Sequence, residues 1–383
     1  MDLLTQHFGT AQEYAIMVFG VLFVFTVVVF IHELGHFLVA RWCGVAISAF
    51  SIGFGPEIFG FTDRHGTRWR FAWIPLGGYV KFIDDDNPAS APSSEGLAKL
   101  SPSERENSFR SKTVGQRAAI VAAGPIANFL LAIFVFAFMF ALIGQPITTP
   151  KIDEVVADSA AAAAGLEPGD IVVSIDGSKI DSFTDLQRIV MSSADRELTL
   201  VVDRGGDLVT LKATPRRKES VDRFGNKFRI GLLGIKRSMT PEDLKYRRYD
   251  PISAVAKGTE ETYFIITRTL SYLGDVIVGR EDVDQLGGPI KIAQIAGQAA
   301  SVSFGFLLKV AALISISLGL INLFPIPILD GGHLLFYGIE AIRGQPLSEK
   351  TQEIGFRIGL ALILMLMVMV TWNDLVQLFS RSS

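Results

Sequence analysis

Cysteine is almost missing from this chain. Cys43 is the single one in 383 residues, which excludes an internal disulfide and a zinc site built on cysteine thiolates. A charge excess is missing too. Lys and Arg number 36 against 39 Asp and Glu, a formal net charge of -3, so nothing marks a nucleic-acid-binding surface. The first thirteen residues contain no Lys or Arg. Without that basic stretch the first apolar segment reads as a retained membrane span rather than a cleaved signal peptide.

What the chain has in abundance is apolar sequence. Hydrophobic residues make up 49%, mean hydropathy is +0.37, and charged residues still reach 20%. That mixture points to membrane spans joined to a sizeable water-soluble part, with room for two or three domains. Four runs are candidate spans: residues 14–38, 118–143, 310–329 and 358–373. The last is short and relies on Arg357 and Asp374 reaching the interface. Arg41, Arg64, Arg68, Arg70, Lys81, Lys99, Arg105, Arg110 and Lys112 fall between the first two spans. By the positive-inside rule residues 40–112 face the cytoplasm, and both termini and the loop 145–303 face outward.

Inside the first run stands His32-Glu33-Leu34-Gly35-His36. On a helix, His32 and His36 lie one turn apart on one face. Two neutral imidazoles at that spacing can hold one Zn²⁺, and Glu33 beside them can take a proton from a zinc-bound water. Residues 14–31, which precede the motif, are uncharged. Polar groups at the end of such a segment are costly to place there and mark a function.

A third ligand is expected from the other end of the chain. The first and third spans run in the same direction, so their C-terminal ends meet on the cytoplasmic side. The third ends in Asn322-Leu323-Phe324-Pro325-Ile326-Pro327-Ile328-Leu329-Asp330-Gly331-Gly332-His333. Asp330, His333 and Glu340 are all candidates. Asp330 is preferred because Pro325 and Pro327 break the helix there and the two glycines let the backbone bring the carboxylate close. The fourth position is then left for water.

With these residues in view, the chain resembles the site-2 protease family of intramembrane zinc metalloproteases, and within it the bacterial branch that cleaves membrane-spanning anti-sigma factors. His32-Glu33-Leu34-Gly35-His36 and Leu329-Asp330-Gly331 carry the likeness. Ser51-Ile52-Gly53-Phe54-Gly55-Pro56, Pro75-Leu76-Gly77-Gly78-Tyr79-Val80-Lys81, Gly124-Pro125-Ile126-Ala127-Asn128-Phe129 and Asn322-Leu323-Phe324-Pro325-Ile326-Pro327 extend it over nearly the whole chain. The resemblance implies a re-entrant hairpin beside the active site that holds substrate, with Gly77, Gly78 and Tyr79 in contact with it. It implies that Asn322, Pro325 and Pro327 shape the cleft or touch the substrate backbone. For all three, helix termination is the competing role. The implied substrate is a single-pass membrane protein already trimmed by another protease, such as an anti-sigma factor. Remnant signal peptides are a second class. The best-known enterobacterial member carries two PDZ modules, whereas one is expected here.

Between the spans, residues 68–82 read as that hairpin. Trp69, Phe71 and Trp73 alternate with Arg70, Ala72 and Ile74, and Gly77-Gly78 supply the turn. An edge strand there could capture an unwound substrate segment by strand addition. Asp84-Asp85-Asp86 and the polar residues up to 112 read as a solvated linker rather than a metal site. In the second span Asn128 must find a partner in apolar surroundings, structural or toward the site. Residues 151–215 read as a compact soluble domain. Its Ala164-Gly165-Leu166-Glu167-Pro168-Gly169-Asp170-Ile171 run resembles bacterial protease PDZ domains, with Gly165 and Leu166 as the expected ligand loop or equally a structural turn, and steric filtering of substrates as the domain's competing role. The basic clusters around Arg216, Lys236 and Lys245 read as a membrane-surface or solvated face, and residues 263–278 as an amphipathic helix at the outer interface.

The expected fold is therefore a polytopic α-helical membrane protein of about four spans, with a membrane-associated β-hairpin and an inserted α+β PDZ domain. Its segments are a zinc-motif span (1–39), a cytoplasmic loop (40–112) and a second span (113–144). The PDZ domain (145–215) and an outer-face segment (216–303) follow. A third span with the Leu-Asp-Gly segment (304–357) and a fourth span with tail (358–383) complete the chain. The expected location is the bacterial inner membrane. Two rivals are a membrane metallopeptidase with a glutamate third ligand, for which Glu340 is the candidate, and a non-catalytic PDZ scaffold.

Overall fold

The computed structural model describes residues 2–85, 100–221, 227–237, 245–280 and 287–382. Its α-helices in chain order are α1 (Asp2–Trp42), α2 (Pro102–Glu106), α3 (Val114–Leu142), α4 (Ala160–Ala163) and α5 (Phe183–Met191). Then come α6 (Pro251–Ile277), α7 (Pro289–Val302), α8 (Phe304–Leu323), α9 (Asp330–Arg343) and α10 (Glu349–Ser382). Among the described residues, four stretches are long and apolar enough to cross a membrane: Glu13–Trp42, Val114–Leu142, Phe304–Leu323 and Glu349–Gln377. The chain divides into two compact units. One comprises Met1–Ala137, Val255–Leu270 and Leu286–Ser383, the other Phe138–Ala254 and Ser271–Gln285.

In the first unit, α1 and α3 cross closely. A Cβ on Gly35 would stand 2.3 Å from the Ala123 carbonyl oxygen. Further along α1, Val24 and Val28 are buried against Ala296 and Ala299 of α7 and Leu307, Val310 and Ala311 of α8. Small residues at these crossings let backbones approach, as between helices in lipid. The third span differs from its expected limits of 310–329. It starts earlier, where Ser303 caps Phe306, and stops at Leu323, because a helix cannot continue into Pro325 and Pro327. The fourth runs past residue 373. Asp374 does not reach out to an interface. It is buried and accepts hydrogen bonds at 3.0 Å from the backbone amides of Gly288 and Lys291, capping α7.

Strands β1 (Ile47–Thr62) and β2 (Arg68–Phe82) replace the expected hairpin within residues 68–82. The turn lies between them, where Asp63 accepts from the amides of His65 and Thr67 and from Arg41 Nη2 at 2.6 Å. Burial alone would raise the Asp63 carboxyl. The hydrogen bonds from Arg41, Trp69 and the two amides instead hold it well below the usual carboxylate range. Gly77 and Gly78 sit inside β2. Alternation over residues 69–74 identified the strand but could not say which partner it had.

The two strands pair antiparallel, yet β1 meets β2 twice. Ala49, Phe50, Ser51 and Ile52 face Lys81, Val80, Tyr79 and Gly78 on one side and Arg68, Trp69, Arg70 and Phe71 on the other. Both numbers rise together in the second set, so that inner pairing runs parallel. Residues 78–82 thereby become an edge. The sheet packs on α1 through Phe37, Phe50 and Trp69, with Phe109 and Tyr337 in the same core.

Two members of the acidic triplet are not solvated. Asp84 is buried and accepts from the amides of Phe109 and Arg110 at the start of a 3₁₀ turn (Phe109–Ser111). Asp85 accepts from the amide of Phe82, and burial raises its carboxyl to about 6. Asp84 ties the end of β2 to the chain that enters α3, and Asp85 closes the strand end on itself. Asp86 lies outside the described residues.

The second unit holds a four-stranded sheet: β3 is Ile171–Ile175, β4 Ser178–Lys179, β5 Leu198–Arg204 and β6 Asp207–Ala213, in the order β4-β3-β5-β6. Leu186 of α5, Leu198, Leu200, Val172 and Ile175 fill its core. That core does not end at residue 215. Leu233 is buried in it, and Ile235 pairs with Val155, a contact across some eighty positions that no local pattern announces. Lys236 pairs with Glu154 at the surface, whereas the Arg237 side chain is 8% exposed beside Asp153 and so is not solvated. The helix expected over residues 263–278 is longer, α6 starting where Asp250 caps Ile252 and Ser253.

Candidate metal centre

His32 and His36 project from one face of α1, their rings 4.8 Å apart and nearly perpendicular. The carboxylate of Asp330, the first residue of α9, enters between them. Asp330 Oδ2 lies 3.2 Å from His32 Nε2 and 3.6 Å from His36 Nε2, and the two nitrogens are 3.3 Å apart. These three residues form a group able to hold a metal ion. Ligands about 2.0–2.1 Å from a tetrahedral zinc stand roughly 3.3 Å from one another, so the triangle has the size of one face of a zinc tetrahedron. Asp330 Oδ2 is also buried without a hydrogen-bond partner, the mark of an oxygen whose natural neighbour is a cation.

Asp330 arrives there because α8 stops short. The loop after Leu323 returns tightly, with Ile328 held at φ 105, a strained conformation for a β-branched residue. Gly331 then packs on the end of α8, where a Cβ would stand 2.3 Å from the carbonyl oxygens of Leu323 and Phe324. The expectation that two glycines bring the carboxylate close holds for this reason. His333 and Glu340 do not join the triangle. His333 packs against Phe356 with ring centroids 5.3 Å apart and the planes tilted by 52°, and Glu340 pairs with Arg117 at 2.6 Å.

α3 supplies the back wall, and most of it escaped the sequence reading. His36 Nδ1 donates to the Ile120 carbonyl at 2.9 Å, which leaves Nε2 free for a metal. Asn128, fully buried, puts its carboxamide 3.2 Å from His32 Nδ1. For Nε2 of His32 to ligate, Nδ1 must carry the hydrogen and the amide oxygen must accept it. That orientation also satisfies Asn128 Oδ1, otherwise buried without a partner. Ser315 Oγ of α8 donates to the Asn128 carbonyl at 2.8 Å. A helical stripe at positions 120, 124 and 128 was the available signal, of which only Gly124 and Asn128 stood out.

Glu33 lies within electrostatic reach of His36, His32 and Asp330, and the Val80 backbone amide faces its carboxylate. Gly78 is closer still to the α1 side chains. A Cβ there would stand 3.3 Å from both Glu33 Cγ and Val29 Cγ1. Tyr79 is steadied by Arg70, which donates to its hydroxyl at 3.0 Å. The edge of the sheet therefore runs beside the motif glutamate. Asn322 is half-buried in the last turn of α8, and Pro325 is exposed.

Sequence comparison decides the family. The profile of peptidase family M50 matches residues 20–366. The chain belongs to peptidase family M50, the site-2 protease family. It is a zinc metalloprotease. A relative from Mesorhizobium japonicum named as a zinc metalloprotease is 51% identical over 355 residues, 92% of this chain and 97% of its own. Metalloprotease MmpA of Caulobacter vibrioides is 40% identical over 384 residues, covering 94% and 96%. The regulator of sigma-E protease RseP of Salmonella typhimurium is 34% identical over 452 residues, covering 93% and 96%. That alignment exceeds the 383 residues of this M50 chain, so the relative carries inserted sequence. Among solved structures, the PDZ domain of an SdrC-like protein from Listeria monocytogenes covers 24% of this chain and 86% of its own. Its 18% identity and TM-score of 0.18 are too low to establish a shared fold.

The two residues of the expected PDZ ligand loop differ in exposure. Leu166 is 4% exposed, within the core of the second unit. Arg204 holds the loop from beneath, donating to the Gly165 carbonyl, to Glu167 and to both oxygens of Asp170. The Arg204 guanidinium lowers the Asp170 carboxyl. Leu166 thus packs into the core, while Gly165 stays exposed at the turn with open space around its Cα.

Proposed function

We propose that this M50 protease hydrolyses a peptide bond within, or at the edge of, a membrane-spanning segment of a single-pass membrane protein. The observation that carries the reading is the His32–His36–Asp330 triangle, built where one helix long and apolar enough to cross a membrane meets the loop that follows another. His32, His36 and Asp330 would hold the zinc. A zinc ion bound there supplies a Lewis acid that acidifies a water and polarises the scissile carbonyl. Glu33 accepts the water's proton and returns it to the leaving amine. Asn128 and the Ile120 carbonyl keep the imidazoles in the tautomer that presents Nε2.

A helical peptide bond is shielded by its own hydrogen bonds, so the substrate must be extended locally before it is cut. The edge formed by residues 78–82 can take an unwound segment as an added strand and lead it past Glu33. Gly77, Gly78 and Tyr79 would line that path, with Asn322, Pro325 and Pro327 shaping the other wall.

The relative named as a regulator of sigma-E protease supports an anti-sigma-factor-like substrate, trimmed beforehand by another protease. The lysine and arginine distribution supports an inner-membrane protein with the zinc motif toward the cytoplasm and both termini outward. The second unit, read as a PDZ domain, then filters out substrates with bulky outer domains. A single-pass reporter expressed with wild type or Glu33→Gln tests the assignment. Cleavage must vanish in the variant, and equal cleavage by both sinks the proteolytic reading.

A further inference from the structure

α3 turns a single stripe toward the metal centre. Arg117, Ile120, Gly124 and Asn128 recur at intervals of three and four residues and so share one face. The last three meet His36 and His32. α9 answers with Asp330, His333, Tyr337 and Glu340, again on one face. Beyond the imidazoles the two stripes meet once more. Arg117 Nη2 donates to Glu340 Oε1 at 2.6 Å, with the side chains only 15% and 12% exposed, and the guanidinium lies 5.0 Å over the Tyr337 ring.

An enclosed ion pair is a poor source of stability, since desolvation offsets much of its attraction. What it supplies is register, because a charged group that slips from its partner is left buried and unpaired. Gly331 seats the start of α9 on the end of α8, but little next to Asp330 in the chain orients its carboxylate. Leu329 gives α9 no side-chain cap, and Asp330 Oδ2 has no hydrogen-bond partner to orient it. A slip of one residue along α9 moves its first carboxylate by about 1.5 Å, against a tolerance of about 0.5 Å for a working site.

We propose that the Arg117–Glu340 pair is a positioning element for the third metal ligand. It holds α9 against α3 in the register at which Asp330 completes the triangle. The inference rests on the assignment of His32, His36 and Asp330 as zinc ligands.

The test uses the full-length protein with Arg117→Gln, Arg117→Lys, Glu340→Gln and Asp330→Asn. Zinc affinity is read by competition with a chelator, kcat and KM on the single-pass reporter, and thermal unfolding on the metal-free forms. Arg117→Gln and Glu340→Gln are expected to weaken zinc binding roughly ten- to hundredfold. Excess zinc restores their kcat, KM stays unchanged, and Arg117→Lys keeps more affinity than Arg117→Gln. Zinc lost in Asp330→Asn with wild-type affinity in Arg117→Gln and Glu340→Gln overturns the positioning role alone. So does a loss that follows metal-free unfolding equally in Arg117→Lys and Arg117→Gln. Zinc retained in Asp330→Asn overturns the ligand assignment and this proposal with it.

Discussion

A Cβ added to Gly124 would stand 2.2 Å from His36 Nε2 and 2.9 Å from His32 Cε1. The backbone of α3 is thus the wall against which both imidazoles rest, and a hydrogen is the largest group that fits. Gly124→Ala is expected to push the rings apart and lower zinc affinity by at least the roughly ten- to hundredfold typical of a disturbed outer shell. Gly115→Ala on the same helix, where a Cβ meets nothing within 4 Å, serves as the control. Metal content after dialysis compares the two, and equal retention argues against the contact.

Glu33 and Asp330 should separate cleanly. Glu33→Gln keeps the three ligand atoms and removes the base, so zinc stays stoichiometric while cleavage falls roughly 10²–10⁴-fold. Asp330→Asn weakens both together. Metal analysis beside reporter cleavage reads the difference, and a Glu33→Gln protein that releases its zinc contradicts the division of roles.

The edge strand should matter for cleavage and not for metal. Gly78→Ala sets a Cβ 2.7 Å from the Ser51 carbonyl oxygen and 3.3 Å from Glu33 Cγ, so β2 must shift away from the site. Reporter cleavage is expected to drop severalfold with zinc content unchanged. A parallel loss of both would mean that the strand serves the site's architecture rather than its substrate.

The second unit should carry a pH dependence traceable to one pair. The Asp170 carboxyl is lowered from its ordinary value of 3.8 chiefly by Arg204. Its contribution to stability is therefore present above that value and lost as pH falls through the lower, folded one. Urea titrations between neutral and strongly acidic pH should show this loss in wild type and a flatter profile in Arg204→Met. Identical profiles would clear Arg204 of the effect.

The spans, the histidine pair and the aspartate after the broken helix could all be read in advance. Each is signalled locally, by an apolar run, a four-residue interval, or prolines followed by glycines. The errors share a different cause. Gly77-Gly78 looked like a turn because two adjacent glycines often are one, yet β1 claims both ends of β2 as partners. Asp84 looked solvated among acidic neighbours, yet the amides of Phe109 and Arg110 bury it.

The sequence alone determined that two imidazoles and a glutamate share one turn of an apolar helix, because the helical repeat makes spacing equivalent to geometry. It could not determine what stands behind those imidazoles. Gly124, Asn128 and the Ile120 carbonyl reach them from nearly a hundred positions away. The edge strand beside Glu33 and the Arg117–Glu340 pair depend likewise on how elements pack. Tertiary structure decided these, since the crossing of α1 with α3 and the register of α9 follow from side chains meeting across the core, a relation no interval along the chain encodes.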